Sequence, residues 1–347
     1  MAVKQRDDSA LSDLKRELKE KNPGSFYIFF GEETYLLHYY LDQLEKKLLD
    51  GPAADFNTHR LTQENFSLEA LRDSLEALPM MAERSYIRVD DVDIFHLGES
   101  DRESLCGMLE DVPDYCCLVF VFETVEFRPD KKQKRLYEAL AKARQVEFAR
   151  QSQRDLTAWV IRHFSARDKR ISPNLCAYLI DITGGSMAAL SGEIDKISAF
   201  ALGPEITKFD IDSVTEPVLD AVVFQMTDAM GTGDYGLALT KLRDLYKMQQ
   251  EPIVILGAVG ANLRKISAAK VLSAHGRGAD ELMRVYGMKD YPARKTMASA
   301  SKFSTAFCDR ALHRVAETDM QMKTSFDDAK RLLELLVLEL AQEQKNA

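Results

Sequence analysis

The residues from Gly31 to His38 stand where a nucleotide-binding chain would carry its phosphate loop, directly after the apolar run Phe26-Tyr27-Ile28-Phe29-Phe30. Such a loop, G-x-x-x-x-G-K-[ST], needs glycines so that its amides can approach phosphate oxygens, and a lysine to balance their charge. Here the segment reads Gly31-Glu32-Glu33-Thr34-Tyr35-Leu36-Leu37-His38, with one glycine, no lysine and two adjacent carboxylates. Carboxylate against phosphate is repulsive, and the large side chains keep the backbone away, so ATP binding is excluded at this point. The segment is expected instead to start a helix whose acidic first turn complements the helix dipole. Asp90-Asp91, after Tyr86-Ile87-Arg88-Val89, could hold a magnesium ion at a strand end. Without a phosphate loop that ion has no nucleotide to bridge, so these residues are expected simply to close a strand.

Zinc or hydrolase chemistry needs His, Cys and acidic side chains converging at ligand or triad spacing. No two of the six histidines, His38, His59, His96, His163, His275 and His313, sit four residues apart, and none has a nearby Cys or acidic partner at such a spacing. The five cysteines, Cys106, Cys116, Cys117, Cys176 and Cys308, include no C-x-x-C pair. An odd set in a long chain makes a poor disulfide framework, so reduced, buried thiols are expected. The sequence therefore predicts no catalytic centre, no metal and no cofactor.

Two further features bear on binding. Leu78-Pro79-Met80-Met81 follows an amphipathic stretch, Leu68 to Leu78, and precedes the next apolar run. Two consecutive methionines at a helix-to-strand turn cannot both point inward easily. Either one packs beneath the turn and the other is incidentally exposed, or the pair is an adaptable apolar plug for a partner's groove. Chemistry alone leaves both readings open. From Arg264 to Lys302 there are nine basic residues against Asp280, Glu281 and Asp290, with Tyr286 and Tyr291 interleaved. Arg264, Lys265, Tyr291, Arg294 and Lys295 could make phosphate contacts and a stacking ring, or could belong to a plain solvated helical face.

The elements that must carry these residues follow from the apolar spacing. Apolar runs at Phe26–Phe30, Phe56–Leu61, Ser85–Val92, Cys117–Phe122 and Val146–Phe148 alternate with helical patterns at Thr34–Leu49, Leu68–Leu78 and Lys131–Lys142. That alternation predicts a mostly parallel sheet covered on both faces. A polar helix is expected over residues 1–24, stopped at Pro23-Gly24. After Gln151 no strand pattern remains. Asp155–Phe164, Asn174–Ile182 and Met187–Leu202 read as three helices. A further helical region runs from Val218, with breaks at Gly231, Glu251-Pro252, Gly276 and Tyr291-Pro292. The final helix, Phe326–Gln342, carries an apolar band (Leu332, Leu333, Leu336, Val337, Leu340) wide enough to be buried on more than one side.

With 347 residues the chain is long for one core, and the pattern divides it into an α/β domain over 1–150, a small helical domain over 151–215 and a larger helical domain over 216–347. The net charge is −9, which excludes a protein that coats nucleic acid by bulk charge. From Ile211 onward the charges balance, so the acidity belongs to the first two domains. The opening residues alternate in charge without the apolar core of a signal peptide, and no apolar run approaches the length of a membrane span. A cytoplasmic protein without membrane contact is expected.

Taken in order, these segments resemble the DNA polymerase III delta subunit family. Phe26 to Leu37 resembles its "strand-GE-x-x-Y-L" opening, and Leu78 to Val89 its "small-apolar-apolar-A/S-x-R" turn into a strand. Thr183-Gly184-Gly185-Ser186-Met187-Ala188-Ala189-Leu190 with Glu193-Ile194-Asp195-Lys196-Ile197 is similar to "T-G-G-D-L-x-x-L-x-x-E-L-x-K-L". Glu251-Pro252-Ile253 with Asn262-Leu263-Arg264, and Asp319 to Ser325, resemble two motifs of its C-terminal part. The resemblance implies a degenerate AAA+-like α/β domain, a helical lid and a C-terminal helical collar. It implies a subunit of the DNA polymerase III holoenzyme that binds and opens the sliding clamp, with no catalysis of its own, while sister subunits hydrolyse ATP. The implied partners are the clamp, the ATPase and delta-prime-like subunits, and primer-template DNA within the assembly. Leu78, Met80 and Met81 match the family's clamp-contacting turn, although the two methionines replace its usual leucine-aromatic pair. Gly184 to Leu190 lacks the arginine that active AAA+ lids place near ATP. The alternatives are an active AAA+ ATPase subunit of the same loader, or a helical nucleic-acid-binding scaffold.

Overall fold

Five short runs, the central three rich in aromatic and β-branched residues, form one sheet in a computed structural model that describes residues 8–49, 54–288 and 290–345. These are β1 (Phe26–Phe30), β2 (Thr58–Thr62), β3 (Ser85–Asp90), β4 (Cys116–Phe122) and β5 (Arg144–Glu147). Their order is β2-β3-β4-β1-β5 and every pairing is parallel, with Ile28 beside Phe120 and Ile87 beside Leu118. Parallel strands are buried on both faces, and β4, Cys-Cys-Leu-Val-Phe-Val-Phe, is buried at every position. Successive side chains alternate between two cores. Tyr27, Phe29, Val119 and Val121 face one core with α1 (Asp8–Glu20) and α2 (Thr34–Leu48). Phe26, Ile28, Leu118 and Phe120 face the other with α3 (Leu68–Glu76), α4 (Glu99–Glu110) and α5 (Lys134–Ala141). This is the parallel sheet covered on both faces that the alternating pattern predicted.

This sheet and its helices make up the first of two compact units, Met1–Gln151; the second is Ser152–Ala347. The first seven positions of the helix expected over 1–24 lie outside the described residues, and so does Lys289. Helix α4 escaped the sequence reading because its first six residues, Glu-Ser-Asp-Arg-Glu-Ser, are polar and only Leu105, Cys106 and Leu109 are buried. Helix α3 ends at Glu76, earlier than its apolar spacing suggested, and Ala77 is already extended. The residue before a proline is pushed out of the helical region, so Leu78 cannot continue the helix into Pro79.

The second unit is helical: α6 (Gln153–Ser165), α7 (Pro173–Ile182), α8 (Met187–Phe200), α9 (Lys208–Val214), α10 (Leu219–Gly231), α11 (Tyr235–Lys247), α12 (Pro252–Ala274), α13 (Ala279–Tyr286), α14 (Asp290–Ala300), α15 (Thr305–Thr324) and α16 (Ala329–Lys345). Gly184 and Gly185 both adopt left-handed conformations (φ +71° and +69°) to reverse the chain between α7 and α8, where Ser186 then caps α8. The expected break at Tyr291-Pro292 falls instead at Gly287. Pro292 sits in the first turn of α14, where the missing N–H breaks no helical bond. By length and composition α12, with a mean hydropathy of 1.2 over its apolar window, could cross a membrane, contrary to the sequence expectation that no run approaches that length. In this fold Ile255, Leu256, Val259, Leu263 and Ile266 of α12 are buried in the helical core instead. The final helix begins at Ala329 rather than Phe326. Its apolar band, Leu332, Leu333, Leu336, Val337 and Leu340, is buried within this unit, leaving Leu335 and Leu338 exposed on the other side.

Candidate functional site

The connection from β1 to α2 is three residues long, Gly31-Glu32-Glu33, and it is stitched to the chain that follows β5. Phe148 N–H donates to the Phe30 carbonyl (2.7 Å), and Glu33 N–H donates to the Phe148 carbonyl (2.8 Å). Gly31 has φ +127°, and a Cβ placed on it would lie 2.5 Å from the Phe148 carbonyl oxygen. Glu32 pairs with Arg150 at 2.8 Å. The carboxylate charge sits one residue ahead of where the sequence placed it. Glu33 is the N-cap of α2 rather than part of its first turn, and it makes no side-chain capping bond. Backbone that would have to wrap a phosphate is therefore short and committed to Phe148.

At the ends of β3 and β4 the acidic pair has structural work. Asp90 accepts from Arg88 Nε at 2.6 Å. Asp91, at φ +51°, accepts from the backbone N–H groups of Glu123 (2.7 Å), Thr124 (2.9 Å) and Val125 (3.2 Å). Burial works to raise the Asp91 pKa, but the backbone donors outweigh it and hold the carboxyl below its ordinary value. Both carboxylates are used to finish the strand ends. Among the described residues no group of three or more His, Cys, Asp or Glu side chains converges as a metal site, and all five cysteines are buried free thiols.

The apolar turn between α3 and β3 is exposed. Leu78 is 73% exposed, Met80 60% and Met81 94%. Neither methionine packs beneath the turn. Met81 has φ +54°, a left-handed conformation that side-chain-bearing residues seldom adopt. Two residues hold the turn from behind. The buried Asn57 pairs with the Met80 backbone, as donor to its carbonyl (2.9 Å) and acceptor from its N–H (2.7 Å). Arg84 donates to the carbonyls of Pro23 (2.6 Å), Gly24 (3.1 Å) and Cys116 (2.6 Å), and to Ser25 Oγ (3.1 Å), tying the start of β3 to the starts of β1 and β4. The 3-10 turn Ala54–Asn57 that supplies Asn57 also leaves Phe56 70% exposed. The sequence placed Phe56 and Asn57 in a strand that begins only at Thr58, and it could not pair Asn57 with Met80: a polar residue 23 positions away can be matched to a turn only once the chain is folded.

In the second unit the basic stretch is divided between three helices. Arg264 and Lys265 lie on α12, the first exposed and the second half-buried. Tyr291, Arg294 and Lys295 lie on α14. Arg294 pairs with Asp290 at 2.7 Å. Lys295 Nζ reaches both carboxylate oxygens of Asp181 (2.8 and 2.7 Å) and lies 3.9 Å from the centre of the Phe224 ring. Burial, with the Asp181 charge nearby, raises the Tyr291 pKa above its ordinary value. Arg284 pairs with Glu281, and Lys302 with Asp228. Much of the positive charge is thus balanced locally, while Arg264 enters no ion pair among the described residues.

A five-stranded parallel sheet covered by helices, with its β1–α2 connection closed against Phe148, and a second, helical unit define a class of α/β-plus-helical protein whose first strand does not lead into a phosphate loop. Comparison with known proteins gives the family. The model of the DNA polymerase III delta subunit matches residues 27–149, and that of the same subunit's C-terminal domain matches residues 220–340. The DNA polymerase III subunit delta of Bacillus subtilis is 25% identical, over 94% of this chain and 96% of its own. A probable DNA polymerase III subunit delta of Aquifex aeolicus is 21% identical, over 76% of each chain. The solved structure of the Bacillus subtilis DNA clamp loader delta protein superposes with a TM-score of 0.67 at 23% identity, covering 96% of this chain and 99% of that one, a likeness of fold. The chain belongs to the DNA polymerase III delta subunit family.

Proposed function

We propose that this chain grips the sliding clamp through Leu78, Met80 and Met81 and stabilises the opened ring, while related subunits of the loader bind and hydrolyse ATP. The observation that carries this reading is a set of three large apolar side chains held outward on a turn that is braced at Asn57 and Arg84. Exposed apolar clusters mark sites of association, and unbranched thioethers adapt to an apolar pocket. Phe56, next in the chain to Asn57, is also exposed. The closed Gly31–Phe148 connection supports a chain that leaves nucleotide chemistry to its partners.

Within the second unit, residues 151–215 serve as the lid and 216–347 as the collar that assembles with delta-prime-like and ATPase subunits. Primer-template DNA meets the assembly through Arg264 and Lys265 of α12 and Tyr291, Arg294 and Lys295 of α14, with Arg264, exposed and in no ion pair among the described residues, the leading contact. The assembly works in the cytoplasm, on replicating DNA. The test is direct. Clamp binding by calorimetry and ring opening by a fluorescence pair across the clamp interface are compared for the native chain and the Met80→Ala/Met81→Ala variant. Wild-type binding and opening by a folded double variant would overturn the reading.

A further inference from the structure

The turn that carries Met80 and Met81 is tied to the rest of its unit through Asn57 and through Arg84. Asn57 is 1% exposed, and its carboxamide meets the Met80 backbone reciprocally: Met80 N–H donates to Oδ1 (2.7 Å), and Nδ2 donates to the Met80 carbonyl (2.9 Å). A neighbouring strand would satisfy a residue in the same way, but here one side chain does it. The consequence is directional. With both polar backbone groups of Met80 engaged by a buried partner, its side chain is left exposed, and Met81 follows in the left-handed conformation with 94% of its surface exposed. Pro79 restricts the backbone on the near side of Met80, and Arg84 holds the far side of the turn.

An apolar pair on a slack loop would fold back on its own protein or lose rotational freedom on binding, and either effect weakens association. We propose that Asn57 is a positioning residue for clamp capture, holding the Met80 backbone so that Met80 and Met81 are presented before the clamp arrives. This inference rests on the reading of that pair as the clamp contact. The chemistry demands asparagine. Alanine satisfies neither backbone group, aspartate accepts from the N–H but cannot donate to the carbonyl, and glutamine adds a methylene to a buried contact.

The test is a thermodynamic cycle on the full chain, with clamp affinity measured for Asn57→Ala, for Met80→Ala/Met81→Ala and for all three changes together. Hydrogen exchange reports the Met80 amide, and Asn57→Gln, which keeps both a donor and an acceptor, serves as the milder variant should Asn57→Ala not fold. Asn57→Ala is expected to weaken clamp binding by about 5- to 30-fold. It should cost nearly nothing further once both methionines are removed, and should speed exchange at Met80 while the β3 amides stay protected. Asn57→Gln should fall between it and the native chain. If the methionine variant loses affinity while Asn57→Ala and Asn57→Gln keep it, the positioning role is wrong and the clamp reading stands. A loss at Asn57 that adds in full to the methionine loss also overturns positioning, because Asn57 then acts independently of the pair. Should the methionine variant bind as the native chain does, the clamp reading itself fails and takes this inference with it.

Discussion

Gly31 and Phe148 meet so closely that a single added methyl group on Gly31 would stand 2.5 Å from the Phe148 carbonyl oxygen. The contact joins the end of β1 to the segment after β5, and Glu33 N–H and the Phe30 carbonyl bond Phe148 on either side of it. Gly31→Ala therefore has to displace backbone, at a φ of +127° that L side chains rarely adopt. It should cost about 2–4 kcal/mol, seen as a lower urea midpoint. The native chain should give no binding heat with ATP at micromolar concentrations, and a micromolar affinity would contradict the closed geometry.

Removing both thioethers at Met80 and Met81 should separate binding from folding. Burying one such side chain contributes roughly 1.5–3 kcal/mol, so the double alanine variant should bind the clamp about ten- to a thousandfold more weakly. Because both residues are exposed in the free chain, its thermal midpoint should stay within a degree or two of the native value, an allowance of about 0.5 kcal/mol. A large fall in the midpoint with clamp affinity preserved would place the methionines in the core instead.

Asp91 should make the first unit sensitive to acid. Its carboxyl lies below its ordinary value of 3.8 in the fold, because burial, which opposes this, is outweighed by three backbone donors. Its contribution is therefore fully present above the unfolded value and is lost as pH falls through the lower folded value. Asp91→Asn keeps an acceptor oxygen and a side chain tolerant of φ +51°, but it loses the charge. The variant should be less stable than the native chain at pH 7, and the difference should shrink as the pH is lowered below 4. A difference independent of pH would mean that the charge contributes nothing there.

Lys295 and Arg264 should behave differently although both are cations of the same stretch. Lys295 is half-buried against Asp181 and Phe224, so Lys295→Met should lower the stability of the second unit by about 1–3 kcal/mol. Arg264 is exposed, so Arg264→Glu should leave stability within about 0.5 kcal/mol. In the assembled loader it should weaken DNA binding and reduce the salt slope by about one. An unchanged slope would remove Arg264 from the DNA contact.

The sequence by itself determined the layers of this protein. Period-two and continuous apolar runs specify parallel strands between helices up to Gln151, and period-3.6 patterns specify helices after it, because burial of one face is a local property of spacing. Missing glycines and lysine at Gly31–His38 are likewise legible without coordinates, and the Met80-Met81 pair is conspicuous by composition. Tertiary structure alone decided which of these residues are occupied. Whether Met80 points inward depends on Asn57, 23 residues earlier; whether Lys295 is a free cation depends on Asp181, 114 residues earlier. The apolar band of α16 could have faced a partner, yet Leu336 and Leu340 found their neighbours in α11, α12 and α15. A side chain's partner is set by the packing of distant segments, and no local pattern of polarity encodes that choice.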